Sequence, residues 1–298
     1  SLVLATGAQD GYFGNDQWAA FAPGLKTVED ATAIRRKLLL ALEAAERETD
    51  PEKRRALLTF AIIGAGPTGV ELAGAIIELG HASVKGEFNS IAPGDLRVVI
   101  IEGAERVLGN FAAELSDYTL QALHDMGIEV ELGQMVSAID ADGVSFGDKR
   151  LDTKTIIWAA GVAASPVAKW LGIAGDRAGR VKVAPDLSVP GLPGIYVIGD
   201  VASVMRENGK PVPGIAPAAK QAGQHVAHII RQRLAGDSSP LPFAYKHAGD
   251  LATIGKSSAV IDFGWIKLKG WFAWWVWGFA HIYFLVDALC SRRSRFQI

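Results

Sequence analysis

Ile63-Gly64-Ala65-Gly66-Pro67-Thr68-Gly69-Val70-Glu71-Leu72-Ala73-Gly74 decides the fold of this chain. The apolar run Thr59–Ile63 before it has the length and composition of a buried strand, and the alanine- and leucine-rich segment after it predicts a helix to about Leu79. In that context the three glycines have separate jobs. Gly64 permits a tight turn, Gly66 lets the backbone approach a pyrophosphate, and Gly69 lets the helix pack against the strand. Pro67 suits a first helical position, and the unpaired N–H groups there, that of Thr68 included, favour an anion. Gly64, Gly66, Pro67, Thr68 and Gly69 are therefore read as a dinucleotide-binding loop.

A second apolar strand, Leu96–Ile101, ends in Glu102. A carboxylate at that point accepts hydrogen bonds from an adenosine ribose and repels a 2′-phosphate, which favours NADH over NADPH. Arg106, one turn on, pulls the other way. Glu102 lies farther along than the usual ~20 residues, and the excess is assigned to an insertion at 81–95 that closes in Ala92-Pro93-Gly94-Asp95. Glu71, in the first turns of the helix, gains from the helix dipole but would be repelled by a pyrophosphate. It is expected to point elsewhere, either as a solvated acid or as a polar group near the reacting rings.

Composition narrows the field. Of 298 residues, 49% are hydrophobic and 21% charged, which makes the chain globular, with room for two domains. The net charge of -2 gives no footprint for nucleic acid. One cysteine, Cys290, excludes an internal disulfide, a CxxC pair and a cysteine-ligated cluster, and is simplest in a reducing compartment. The six histidines show no metal-ligand spacing, so no metal is expected.

Further strands are expected at Glu129–Leu132, Val136–Asp140, Gly143–Phe146 and Thr155–Trp158, the last ending at Ala159-Ala160-Gly161, where Gly161 is a second candidate cofactor contact. Ser116–Asp125 and Ala216–Leu234 read as helices. Residues 27–49 read as a long amphipathic helix capped by Thr27 with Asp30, and taken to join two domains. The alternation implies α/β domains with mainly parallel sheets. Ser1–Gly7 reads as the inside of a buried strand, which predicts that an N-terminal portion is absent. Tyr196-Val197-Ile198-Gly199-Asp200 is another strand ending in Gly-Asp, where an aspartate can hold a cofactor's hydroxyls or simply cap a turn.

Together these segments are similar to the two-dinucleotide flavoprotein oxidoreductases. Leu2–Ala8, the glycine loop and Gly199-Asp200 carry that resemblance. Tyr12-Phe13-Gly14, Leu25–Ala31, Ala216–Gln221 and the aromatic tail make the chain resemble type II NADH:quinone oxidoreductase. The resemblance implies non-covalent FAD, with hydride passing from NADH to FAD and two electrons then to a membrane quinone, without proton pumping. It places Thr6, Gly7, Gly199, Asp200 and Ala216 beside FAD, and Glu71 and Gln221 near the reacting end. The FAD domain is expected to be incomplete, because no GxGxxG precedes residue 64. The alternatives are a soluble flavoprotein reductase with another acceptor and an inactive NADH-binding fragment.

The tail Trp271-Phe272-Ala273-Trp274-Trp275-Val276-Trp277 continues as an apolar run through Leu285-Val286 to Asp287, flanked by Lys267, Lys269, Arg292, Arg293 and Arg295. Tryptophan with basic flanks suits an interfacial helix, ahead of a buried or dimer helix and a spanning one; His281 reads as a packed histidine. The expected organisation is two Rossmann-like domains and a C-terminal membrane-associating region. The partial FAD domain takes 1–26 and 164–244, a connecting helix 27–51, the NADH domain 52–163 and the membrane anchor 245–298. The expected location is the cytoplasmic face of the cell inner membrane, peripheral, against the lipid surface, with a homodimer as a further possibility.

Overall fold

The computed structural model describes residues 1–206, 209–237 and 241–293, with side chains as far as residue 282. Leu285, Val286, Asp287, Cys290, Arg292, Arg293 and Arg295 lie beyond the described side chains. The chain forms two compact units, one of Ser1–Gly11 with Val162–Ala248, the other of Tyr12–Gly161 with Gly249–Ile298.

The second unit is built on a four-stranded parallel sheet in the order Ile128–Glu131, Arg97–Ile101, Thr59–Ile63, Thr155–Trp158. Every residue of Thr59–Ile63 is buried, as a parallel sheet covered on both faces requires. The two-residue period sorts the side chains. Phe60, Ile62, Val98 and Ile100 face a core shared with the helices, whereas Ala61, Ile63, Val99 and Ile101 face one shared with Val144, Phe146 and Leu151. The latter three come from the antiparallel strands Gly143–Phe146 and Lys149–Asp152, which with Val136–Ile139 form a separate sheet. The strand Lys149–Asp152 has no apolar alternation beyond Leu151 and is seen only in the structure.

The helix Val28–Arg47 carries the expected capping box of Thr27 and Asp30. It is not a free connector. Its stripe of Ile34, Leu38, Ala41, Leu42 and Ala45 lies in the same core as Phe60 and Ile62, because a stripe that wide must be buried to be stable. The spacing between the loop and Glu102 also has a different origin from the insertion expected at 81–95. The helix opening at Pro67 runs to Glu87, breaking only at Lys85 and Gly86, and Gly80 and Val84 continue its buried face.

The C-terminal segment is not a separate region either. Asp250–Ile254, Ser258–Asp262 and Lys267–Lys269 form an antiparallel meander. One face of it, with Ala252, Ile254 and Val260, joins the main core. The other, with Ala259 and Ile261, receives Ala273, Trp274, Val276 and Trp277 of the helix Gly270–Arg293. The nucleotide-loop helix meets this meander at Gly74, where a Cβ would stand 2.6 Å from the backbone nitrogen of Gly255. Gly74→Ala is therefore expected to destabilise the unit by about 1–3 kcal/mol, read as a lower melting temperature; unchanged melting would mean that the seam gives way freely.

The first unit carries a three-stranded sheet in which Leu192–Val197 lies between Leu2–Leu4, parallel, and Ser188–Val189, antiparallel. Tyr196 faces the helix Ala216–Leu234 through Ala222, Val226 and Ile229, and Val197 faces Val167, Val181 and Val201 on the other side. Leu2–Leu4 forms the expected strand; among the described residues it pairs with Leu192–Val197 alone, and Leu2 is 50% exposed. Apolar composition selects a strand; only a partner on both sides buries one.

Candidate functional site

In the second unit the predicted loop residues come together at the carboxyl end of the central strand. Gly64 takes φ +107°, and a Cβ there would lie 2.6 Å from the Cα of Ala160. A Cβ on Gly69 would stand 1.9 Å from the Gly64 carbonyl oxygen, so helix and turn touch backbone to backbone. Gly66 is the opposite case: nothing lies within 4 Å of its Cβ position. It leaves an open concavity, and the helix that starts at Pro67 has no side-chain cap at its N-terminus. The N–H groups of the first turn, including that of Thr68, face that space with the positive end of the helix dipole behind them. The donor set fits a pyrophosphate.

Glu102 closes the turn from the neighbouring strand. Its Oε2 accepts the Ala65 N–H at 2.6 Å and its Oε1 the Ala104 N–H at 2.8 Å. The Gly64 N–H donates to the Ile101 carbonyl at 2.8 Å, which fixes loop and carboxylate in one frame. Arg106 reaches the Gly109 carbonyl at 3.3 Å. Beside Gly64 and Glu102 opens a cavity of about 260 Å³, also lined by Phe13, Trp18, Met135 and Trp158. Sequence reading missed these four. The position of Met135 against Gly103, where a Cβ would meet its sulfur, follows from tertiary packing and has no periodic signal. Gly161 ends the first of the two segments of this unit, following the cavity-lining Ala160.

Glu71 turns to the meander. Its Oε1 accepts the Thr253 N–H at 3.1 Å. Burial raises its pKa above the usual glutamate value, and hydrogen bonds from Thr253 and the charge of His281 offset part of the rise. His281 itself packs on Trp277, with ring centroids 4.0 Å apart.

In the first unit Asp200 follows its strand in the short turn Gly199–Val201. Gly199 takes φ +72°, and a Cβ on Gly214 would lie 3.4 Å from Asp200 Oδ1. A small cavity is lined by Arg180, Gly199, Asp200, Gly214, Ala218 and Ala219. Arg180 is steadied by Asp176, Nε to Oδ2 at 2.8 Å. A carboxylate, a guanidinium and small side chains suit a hydroxylated, phosphorylated ligand, so FAD fits the residues present. Thr6 shares a hydrogen bond with the Ser165 hydroxyl, and the Gly7 carbonyl accepts the Ser165 N–H at 3.2 Å. Ala216 opens its helix without a side-chain cap. Gln221 is not aimed at that cavity: its amide clasps the Lys246 backbone, donating to the carbonyl and accepting from the N–H, both at 2.9 Å. Glu71 and Gln221 thus belong to different units. Among the described residues no cluster of side chains could hold a metal ion.

A family model described as pyridine nucleotide-disulphide oxidoreductase matches residues 1–223. The chain belongs to that family. Within it, the similarity runs to two type II NADH:quinone oxidoreductases of Mycobacterium tuberculosis, 41% and 42% identical over 96% of this chain. An internal alternative NAD(P)H-ubiquinone oxidoreductase of Arabidopsis thaliana mitochondria is 29% identical over the whole chain. The chain spans 63% of the length of each mycobacterial relative. In fold it superposes on the NDH2 of Plasmodium falciparum solved in complex with NADH, with TM-score 0.86 at 23% identity, covering 95% of this chain and 74% of that one. The family includes enzymes that work through a disulfide; the single cysteine of these 298 residues offers no such pair.

Proposed function

We propose that this chain is the donor-side portion of an NADH:quinone oxidoreductase that works at a lipid surface. The loop geometry carries this reading: an open Gly66 at an uncapped helix N-terminus, with Glu102 held within hydrogen-bond reach of the same turn. Gly64, Gly66, Pro67, Thr68 and Gly69 hold the pyrophosphate, Glu102 takes the adenosine ribose, and Gly161 lies along the same edge. Thr6, Gly7, Gly199, Asp200 and Ala216 serve FAD. Bound FAD supplies the two-electron exchange between reduced nicotinamide and acceptor; the protein orients the partners and excludes water. Glu71, partly dehydrated and able to hold a proton, serves the acceptor end. Gln221 serves it indirectly, by fixing the backbone at Lys246.

The tail supports the lipid surface. Trp274 and Trp277 pack inward, while Trp271, Trp275 and Phe279 form one outward row at helical spacing. No helix among the described residues is long and apolar enough to cross a membrane, and aromatic side chains outward on one helix face suit a peripheral, monotopic seat on the inner membrane. Of the basic flank, Lys267 pairs with Glu114 at 2.8 Å and Lys269 stands over the Tyr118 ring, so those two lysines are partly occupied. The exposed row favours this reading over a soluble reductase.

Coenzyme preference tests the donor site. Glu102→Arg is expected to reverse the preference from NADH to NADPH in quinone reduction, by exchanging a charge that repels a 2′-phosphate for one that binds it. Retained NADH preference would remove Glu102 from the ribose site.

A further inference from the structure

Met135 is 69% exposed, yet its side chain has a defined seat. It lines the cavity of about 260 Å³ beside Gly64 and Glu102, and its sulfur rests on Gly103, where a Cβ would collide with it. Gly103 does not take a positive φ, so the turn itself does not call for glycine. What the missing side chain admits is the thioether. The backbone holds both sides of this contact in register: the Gln134 N–H donates to the Glu102 carbonyl at 2.9 Å, and the Gly133 N–H to the Ala104 carbonyl at 3.0 Å. All of these residues belong to one unit. The sequence has two other methionines. Met126 is half-buried, with its methyl group against Gly255, and Met205, 59% exposed, lies in the other unit. Of the three, Met135 combines access for a small oxidant with a place in the wall of the cavity beside Glu102.

We propose that Met135 is an oxidation site that governs donor binding: hydrogen peroxide converts its thioether to the sulfoxide, and the chain then holds NADH less tightly. The proposal rests on the reading of Glu102 and its cavity as part of the donor site. In the step itself a sulfur lone pair attacks one peroxide oxygen and the O–O bond breaks. The sulfur is oxidised and gains that oxygen, and the peroxide is reduced to water. The reduced sulfur is an apolar piece of wall, continuous with Ile63, Ile101 and Trp158. The sulfoxide puts a strong hydrogen-bond acceptor there, one residue from a carboxylate that is itself only an acceptor. Glu102 already takes the Ala65 and Ala104 N–H groups, so the backbone offers the new oxygen neither of those donors. A ligand that seals the cavity must strip water from that oxygen without replacing the hydrogen bonds it loses. The free chain has no such cost, because an exposed sulfoxide stays hydrated. Oxidation therefore weakens binding and spares the fold, and sulfoxide reduction reverses it.

The test treats the full chain with dilute hydrogen peroxide, removes the oxidant with catalase, maps the oxidised methionines by peptide mass and measures NADH binding by calorimetry. Conversion of Met135 is expected to raise the dissociation constant for NADH by about five-fold or more, with the melting temperature unchanged. Methionine sulfoxide reductases of both epimer specificities should restore the original affinity. In Met135→Leu the same treatment still oxidises Met205 but should leave that variant's own affinity where it was. Treated wild type that binds NADH as the untreated chain does, with Met135 converted, overturns the proposal; so does a Met135 that peroxide leaves unmodified, or a treated Met135→Leu that loses affinity to the same extent. The underlying reading fails differently: an untreated, folded chain that binds no NADH removes the donor site and the proposal with it.

Discussion

Gly66→Val is expected to lower NADH affinity ten-fold or more while leaving stability within about 0.5 kcal/mol. Two features of Gly66 separate binding from folding. Its φ of −71° with extended ψ is open to any residue, and nothing lies within 4 Å of its Cβ position, so the valine side chain enters empty space. That space is where the pyrophosphate must approach the backbone, and a loss of about 1.4 kcal/mol there is a factor of ten in affinity. Gly69→Ala is the control with the opposite signature. Its Cβ would stand 1.9 Å from the Gly64 carbonyl oxygen, so helix and turn must part, at a cost of about 3 kcal/mol. Calorimetry of NADH binding beside thermal melting distinguishes the two. If Gly66→Val melts early, or binds NADH as the wild type does, the loop does not work as described.

The second large effect concerns the outward row of the C-terminal helix. Trp271 is 66% exposed, Trp275 44% and Phe279 66%, whereas Ala273 is fully buried. Replacing Trp271, Trp275 and Phe279 together with serine removes the outward row and spares the inward one. With about 1 kcal/mol lost for each partly immersed side chain, binding to anionic liposomes should fall by about a hundred-fold. Truncating the helix would be a poorer experiment, since Ala273, Trp274 and Trp277 pack on the meander and their loss would damage the fold. Sedimentation with liposomes reads the outcome; equal co-sedimentation of the triple variant and the wild type would reject a lipid seat on this face.

What could be seen in the sequence was local. The loop, the strands Thr59–Ile63 and Thr155–Trp158 and the helix Ala216–Leu234 follow from period, glycine spacing and turn chemistry within a few residues. The Thr27 and Asp30 box is a contact between near neighbours and was legible for the same reason. What could not be seen depended on distant partners. The four tryptophans of the tail read as one cluster, yet the helical period divides them: Trp274 and Trp277 face the meander, and Trp271 and Trp275 face the exterior. Phe13, Trp18, Met135 and Trp158 line the cavity beside Glu102 from separate parts of the chain, and no single stretch announces it. Glu71 was expected to avoid the pyrophosphate, but its partner, Thr253, lies 182 residues away.

The visible absorption spectrum of the purified chain, loaded with FAD and titrated anaerobically with NADH, tests the central claim most directly. A flavin band that stays with the protein on gel filtration, bleaches with one equivalent of NADH and returns on addition of a quinone is the expected result. A folded protein that binds NADH but holds no flavin, or a bound flavin that NADH does not bleach, would contradict it.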